Sequence, residues 1–133
     1  MLESVNYKLA FLPGTLPYVL QELLAKYPDT VIKKQNNAEI LFESEINDIN
    51  EFKNLYSPTH ISDTQGKELN LSKREWRKVY IPAGINPSLA YIMCQIAGLS
   101  EKDIVADPFC GASTIPITAI KYFNVKRCIC SDI

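Results

Sequence analysis

The stretch Ile104-Val105-Ala106-Asp107-Pro108-Phe109-Cys110-Gly111-Ala112-Ser113-Thr114-Ile115-Pro116-Ile117-Thr118-Ala119-Ile120 decides the fold. A short apolar run ends in an acid, a tight turn with a glycine follows, a hydroxyl residue stands where an N-cap belongs, and an apolar helical segment continues. This reads as strand, loop and helix start. Backbone N–H groups of such a turn, and the positive end of the helix behind it, face whatever lies beyond the strand, which suits a nucleotide-like ligand. Open parallel sheets bind ligands at that edge. A second apolar run, Arg127-Cys128-Ile129-Cys130-Ser131-Asp132, ends in an acid 25 positions after Asp107. An acid about 20 residues beyond a glycine-bearing turn is placed to accept from ribose hydroxyls. The phosphate-binding glycine patterns do not fit, because Ser113 and Pro116 hold the later glycine positions and no Gly-Lys-Ser/Thr follows.

The string Asp107-Pro108-Phe109-Cys110-Gly111-Ala112-Ser113-Thr114 resembles the first motif of S-adenosylmethionine-dependent methyltransferases, in the Asp-Pro-Phe-Cys-Gly-Ser-Gly-Thr form of nucleic-acid methylases. The departures are Ala112 for Ser and Ser113 for Gly. Ser113 adds a side chain where that family lets backbone approach the cofactor, so either the loop adapts or affinity suffers. The resemblance implies S-adenosyl-L-methionine as cofactor. It gives Asp107 a place near the methionine amino group, Gly111 a close backbone approach, and Asp132 the ribose hydroxyls.

A chain of 133 residues, 47% hydrophobic, has room for one ordinary domain or two small ones with a core. No apolar run approaches the roughly 20 residues of a membrane span, and no basic segment leads into an apolar stretch with a cleavage site. The cysteines, Cys94, Cys110, Cys128 and Cys130, form no C-x-x-C pair and none lies near His60 in sequence. They read as reduced thiols of a cytoplasmic protein with no metal site.

From the start, Val5, Tyr7, Leu9 and Phe11 alternate as a half-buried strand, broken at Pro13-Gly14. From Thr15, an acceptable N-cap, Leu16, Val19, Leu20, Leu23, Leu24 and Tyr27 recur at helical spacing until Pro28-Asp29. Two strand-like runs, 30–34 and 39–43, flank Asn36-Asn37, which tolerate the left-handed geometry of a hairpin turn. A weaker helical pattern sets Ile46, Ile49, Phe52 and Tyr56 on one side. The order β-α-β-β-α describes a small α+β layer.

From Ser57-Pro58-Thr59-His60 the composition turns polar to about Lys78, which predicts a linker over 58–78. His60, the only histidine, falls there without ligand neighbours. The net charge of −1 divides into −4 over residues 1–64 and +3 over 65–133. Lys73, Arg74, Arg77 and Lys78 cluster with Trp76 and Tyr80 interleaved. Such a stretch either holds phosphates and stacks on unpaired bases, or connects domains while its Trp packs on a neighbour.

Val79-Tyr80-Ile81 reads as a short strand. The segment 86–98 then carries an Asn86 N-cap, Pro87 at the first helical position, Leu89, Ile92, Met93 and Ile96 as a core stripe, and Gly98 at the C-cap. In methylases resembling this chain, a helix opened by Asn-Pro-Ser-Leu-Ala precedes the first motif, and its N-terminus borders the methionine end of the cofactor. The resemblance therefore implicates Pro87 and Ser88 beside Asp107, Pro108, Phe109, Cys110, Gly111, Ala112, Ser113, Thr114 and Asp132.

Residues 1–56 look more weakly like the ferredoxin-like segment that opens THUMP-containing RNA methyltransferases of the guanine-N2 type, although the stretch that follows is too short for the THUMP domain itself. The resemblances together imply an α/β protein: a ferredoxin-like α+β segment over 1–57, the linker with its basic stretch over 58–78, and the first strands and helices of a Rossmann-like class I methyltransferase sheet over 79–133. The Asn/Asp-Pro-Pro-Tyr/Phe signature of amine methylases is absent, and the chain stops after two of the expected strands. The sequence thus reads as the cofactor-binding part of an RNA methylase, with tRNA or ribosomal RNA as partner and no activity of its own. A DNA adenine methylase fragment and a non-catalytic nucleotide- or RNA-binding module stay open as alternatives. Two parallel strands with bare edges imply self-association or partner contacts through 104–133.

Overall fold

Alternating apolar residues at the chain's start build the middle of a sheet, not its edge. The structure, a computed structural model, describes residues 3–78 and 84–132 and divides into two units, Met1–Ser72 and Lys73–Ile133. The strand expected at Val79-Tyr80-Ile81 lies outside the described residues. The first unit contains β1 (Val5–Ala10), α1 (Leu16–Lys26), β2 (Val31–Gln35), β3 (Glu39–Ser44), a 3-10 turn (Ile49–Phe52), β4 (His60–Asp63) and β5 (Glu68–Asn70). The sheet order is β2-β3-β1-β4-β5, with every neighbouring pair antiparallel. Because β1 and β2 both run against β3, they are parallel to each other. The β1-α1-β2 crossover is thus split by the strand between them.

One face of this sheet carries the core. Tyr7, Leu9 and Phe11 of β1 and its continuation are buried with Ile40 and Phe42 of β3, Ile61 of β4, Val19 and Leu23 of α1, and Phe52 and Leu55. The rings of Tyr7, Phe42 and Phe52 meet at centroid distances of 4.8 to 5.6 Å. Each such side chain contributes about 1.5–3 kcal/mol through its removal from water. The phenol of Tyr7 donates to Ile46 O at 2.5 Å, so the buried ring brings its polar end to a partner.

Four expectations change here. The stretch 58–70 is not a linker: His60–Asp63 pairs with β1 and Glu68–Asn70 with β4, and the unit ends at Ser72. These strands are short and polar because they close the edge of the sheet, and only Ile61 and Leu69 turn toward the core. Thr15 stands at the N-cap position of α1 without capping; its hydroxyl donates to Leu12 O at 2.6 Å instead. Asn36 turns the hairpin through its side chain, Oδ1 accepting from Ala38 N and Glu39 N at 2.8 Å each, and neither Asn36 nor Asn37 has left-handed backbone. The second helix is reduced to the 3-10 turn, whose Ile49 and Phe52 still reach the core.

The second unit contains α2 (Pro87–Ala97), β6 (Ile104–Asp107), α3 (Thr114–Phe123) and β7 (Arg127–Cys130). Strands β6 and β7 are parallel, in the register Val105 to Cys128 and Asp107 to Cys130, with α3 as their connection. Helix α2 is bounded as its sequence dictates: Asn86 Oδ1 accepts from Ser88 N at 2.8 Å, Pro87 opens the helix, and Gly98 closes it at φ 64. Its buried face is another matter. Ala90, Tyr91, Ile92 and Cys94 are buried, while Met93 and Ile96 of the expected stripe are exposed. The helix is apolar nearly all round, so periodicity alone does not select the face. Tyr91 packs on Tyr122 and Phe123 of α3 at centroid distances of 5.9 and 4.9 Å, and Cys94 meets Ala119, Val125, Val105 and Cys128. On the other side of the β6–β7 pair, Ile104 and Ile129 remain about half exposed.

Candidate functional site

Strand β6 ends at Asp107 and delivers the chain into the turn 108–113, while β7 ends beside it at Cys130. The two strand ends are laced together. Ser131 N donates to Asp107 O at 3.1 Å, Cys110 N to Ser131 O at 3.1 Å, and Ser131 Oγ to Pro108 O at 3.3 Å. The acid at the end of the second run joins the turn directly: Gly111 N donates to Asp132 Oδ2 at 2.5 Å. Asp107 and Asp132 are thereby brought to the same strand edge as the turn.

Four amides of the turn are engaged within the protein. Phe109 N donates to Asp107 Oδ1 at 3.1 Å and Ser113 N to Cys110 O at 2.7 Å, besides the Cys110 and Gly111 amides. A ligand that takes these amides therefore exchanges with existing hydrogen bonds, each worth about 1 kcal/mol net. The outward surface of the site is formed by Pro108, Phe109, Gly111 and Asp132, all exposed, with Phe109 at 74%. Ala112 is half-buried. Thr114, Pro87 and Ser88 are buried, the last held by the Asn86 cap. Pro87 and Thr114 open α2 and α3.

Ser113 takes a backbone conformation that glycine favours. It sits at the N-cap position of α3 with φ 66 and ψ 28, the left-handed region that favours glycine, and its side chain makes no cap. A non-glycine residue there costs about 1–2 kcal/mol. The hydroxyl instead points to Cys110 Sγ at 3.6 Å.

Thiols surround this turn unequally. Burial, with Cys128 nearby, pushes the Cys94 thiol up to about 11. Burial also raises Cys128, whose Sγ is 3.5 Å from Pro116 O. Cys130 is raised by burial first and then by the nearby Cys110 and Cys128. Among the described residues no group of three or more His, Cys, Asp or Glu could hold a metal ion. No helix of the described residues is long and apolar enough to cross a membrane.

The basic stretch divides by exposure. Lys73 and Lys78 are exposed, Trp76 and Arg77 half-buried, and Arg74 buried at 6%. The Arg74 guanidinium lies over the Tyr122 ring at 5.8 Å, and Trp76 Nε1 donates to Tyr122 Oη at 3.0 Å. Arg74 and Trp76 thus pack on α3 of their own unit.

Comparison with known proteins agrees with this geometry. Residues 74–125 match the RMKL-like methyltransferase domain family. The chain is 29% identical over 101 residues to a tRNA (guanine(6)-N2)-methyltransferase of Archaeoglobus fulgidus, a match covering 76% of this chain and 24% of that protein. The chain therefore spans about a quarter of the length of the curated relative it matches. No solved structure matches it significantly. Both matches are to methyltransferases.

Proposed function

We propose that this chain is the cofactor-binding part of an S-adenosylmethionine-dependent RNA methyltransferase acting in the cytoplasm on guanine N2 of tRNA or ribosomal RNA. The observation that carries the reading is the parallel strand pair whose ends hold Asp107, the turn 108–113 and Asp132 at one edge, with β6, the turn and α3 inside the residues 74–125 matched by a methyltransferase domain family. The second unit is read as the start of a Rossmann-like sheet. The first unit, with its split crossover, is read as ferredoxin-like, its second helix reduced to a turn.

The residues present fit the cofactor. Asp132 is an exposed carboxylate that can accept from ribose hydroxyls, and Asp107 stands at the end of β6 where a methionine ammonium would be met. Gly111, at φ 55, leaves room for backbone approach, and the exposed Phe109 ring offers an apolar face. When bound, the cofactor supplies an electrophilic methyl group. The chain's own residues bind and orient it, while the base-holding signature is absent from this sequence.

Titration of the full chain with labelled S-adenosylmethionine, against NAD and ATP as competitors, tests the reading. Saturable binding displaced by neither competitor supports it. Preference for NAD or ATP overturns it, and so does an unchanged affinity in Asp132→Ala, which should lose about 1–3 kcal/mol of binding.

A further inference from the structure

Strand β7 ends at Cys130, and the next two residues bind the turn that leaves β6. Ser131 N donates to Asp107 O at 3.1 Å, extending the parallel ladder by one step, and Ser131 O accepts from Cys110 N at 3.1 Å as the turn curls back. The Ser131 hydroxyl donates to Pro108 O at 3.3 Å, and Asp132 Oδ2 accepts from Gly111 N at 2.5 Å. Apolar burial does little for the turn, because Pro108, Phe109 and Gly111 are all exposed. The turn is also strained. Gly111 at φ 55 and Ser113 at φ 66 both have left-handed backbone, and for Ser113 that conformation persists only where the surroundings impose it. Ser113 N donates to Cys110 O at 2.7 Å, so the strained residue is tied through Cys110 to the end of β7.

We infer that Ser131-Asp132 is a clasp that sets the shape of the turn 108–113 before any ligand arrives, with Asp132 as a positioning residue acting through the Gly111 amide. A carboxylate suits this role. Its charge-assisted bond is roughly twice as strong as a neutral one, and it holds an exposed backbone donor that water would otherwise take. Loss of the carboxylate releases Gly111 N first and loosens Cys110 N with it, because the bond from Cys110 N to Ser131 O closes the same loop.

In the cofactor reading the same acid meets the ribose hydroxyls, so Asp132→Ala removes two contributions at once: a contact to the ligand and the shape of the surface beneath it. This second half rests on that reading; the clasp itself does not.

The clasp is tested without ligand, by amide hydrogen exchange of the full chain followed residue by residue by NMR. Asp132→Ala should speed exchange at Gly111 about tenfold or more, the weight of a hydrogen bond to a charged group, and speed it at Cys110 as well. Lys126 N, bonded to Asp103 O at the opposite end of the strand pair, should keep its rate. Asp132→Asn, which keeps a side-chain oxygen but not the charge, should fall between the unsubstituted chain and Asp132→Ala at Gly111, and it carries the test alone if Asp132→Ala opens the whole unit and Lys126 accelerates too. An unchanged rate at Gly111 in either variant overturns the clasp, as does an effect at Gly111 with none at Cys110. Binding then separates the two roles of the acid. Labelled S-adenosylmethionine and an analogue lacking both ribose hydroxyls are titrated against the unsubstituted chain and Asp132→Ala. The analogue has no ribose contact to lose, so a fall of about fivefold in its affinity is the effect expected of the loosened turn. An analogue indifferent to Asp132→Ala overturns the ligand half, whereas failure of the unsubstituted chain to bind either compound overturns the cofactor reading and leaves the exchange result standing.

Discussion

Glu22 of α1 holds Ser57 through both of that residue's donors: its Oε1 accepts from Ser57 N at 2.9 Å and from Ser57 Oγ at 2.6 Å. The same carboxylate, 3% exposed, also accepts from Tyr56 N at 3.0 and 2.9 Å and from Lys26 Nζ at 2.6 Å. One buried acid thereby anchors the chain that leads into β4. Glu22→Gln keeps the volume but turns an amide donor toward groups that already donate. It should cost about 2–3 kcal/mol, the scale for a charged acceptor lost from buried donors. Urea denaturation of the variant checks this, and a double-mutant cycle with Ser57→Ala should return a coupling of about 1 kcal/mol or more.

Thr118 presents the opposite case. It is fully buried in α3, and its Oγ1 has no hydrogen-bond partner among the described residues. Thr118→Val removes the stranded hydroxyl at nearly constant shape, so stability should stay level or rise by about 1 kcal/mol. A midpoint lowered by that amount would mean the hydroxyl has a partner after all.

Alkaline stability should report on Cys94. Its folded-state value of about 11 lies above the ordinary 9.0, so the native state keeps the proton over a range where the unfolded chain has lost it. The contribution is complete below about pH 9 and is lost as pH rises through about 11, amounting to about 2–3 kcal/mol for this buried group. Between these limits Cys94→Ala should lose stability less steeply with pH than the unsubstituted chain. Equal slopes would remove Cys94 as the cause.

The basic stretch should separate into two behaviours if the chain serves an RNA enzyme. Lys73→Ala or Lys78→Ala should each flatten the log–log salt dependence of RNA binding by about 0.7 to 0.9 unit. Trp76→Ala and Arg74→Ala should instead lower the melting temperature and leave RNA affinity per folded molecule unchanged, because both side chains pack on Tyr122. A flattened salt dependence in Arg74→Ala would contradict its burial.

Local chemistry made some elements legible before any coordinates. The ends of α2 were written in Asn86, Pro87 and Gly98, β1 in its alternation, and the β6-turn-α3 unit in one string of residues. What stayed hidden depends on partners distant in sequence. His60–Asp63 and Glu68–Asn70 pair at a sheet edge and need few apolar residues, so nothing local marks them as strands. Met93 and Ile96 face outward because Tyr91 and Cys94 meet α3 and the strands, a choice that an apolar helix does not announce. At the candidate site, the two acids and the turn were readable from spacing. The internal engagement of amides in the turn by Ser131 and Asp132 arises only when β6 and β7 lie side by side.

The central place of β1 bears on how the chain is made. Residues 5–10 leave the ribosome well before one of their two neighbours, His60–Asp63, which is synthesised some fifty residues later. That strand must wait in the exit path or at the ribosome surface with one edge bare, and that non-local closure slows folding of the first unit. The β6-α3-β7 unit, whose paired strands are separated by one helix and its turns, carries no such delay.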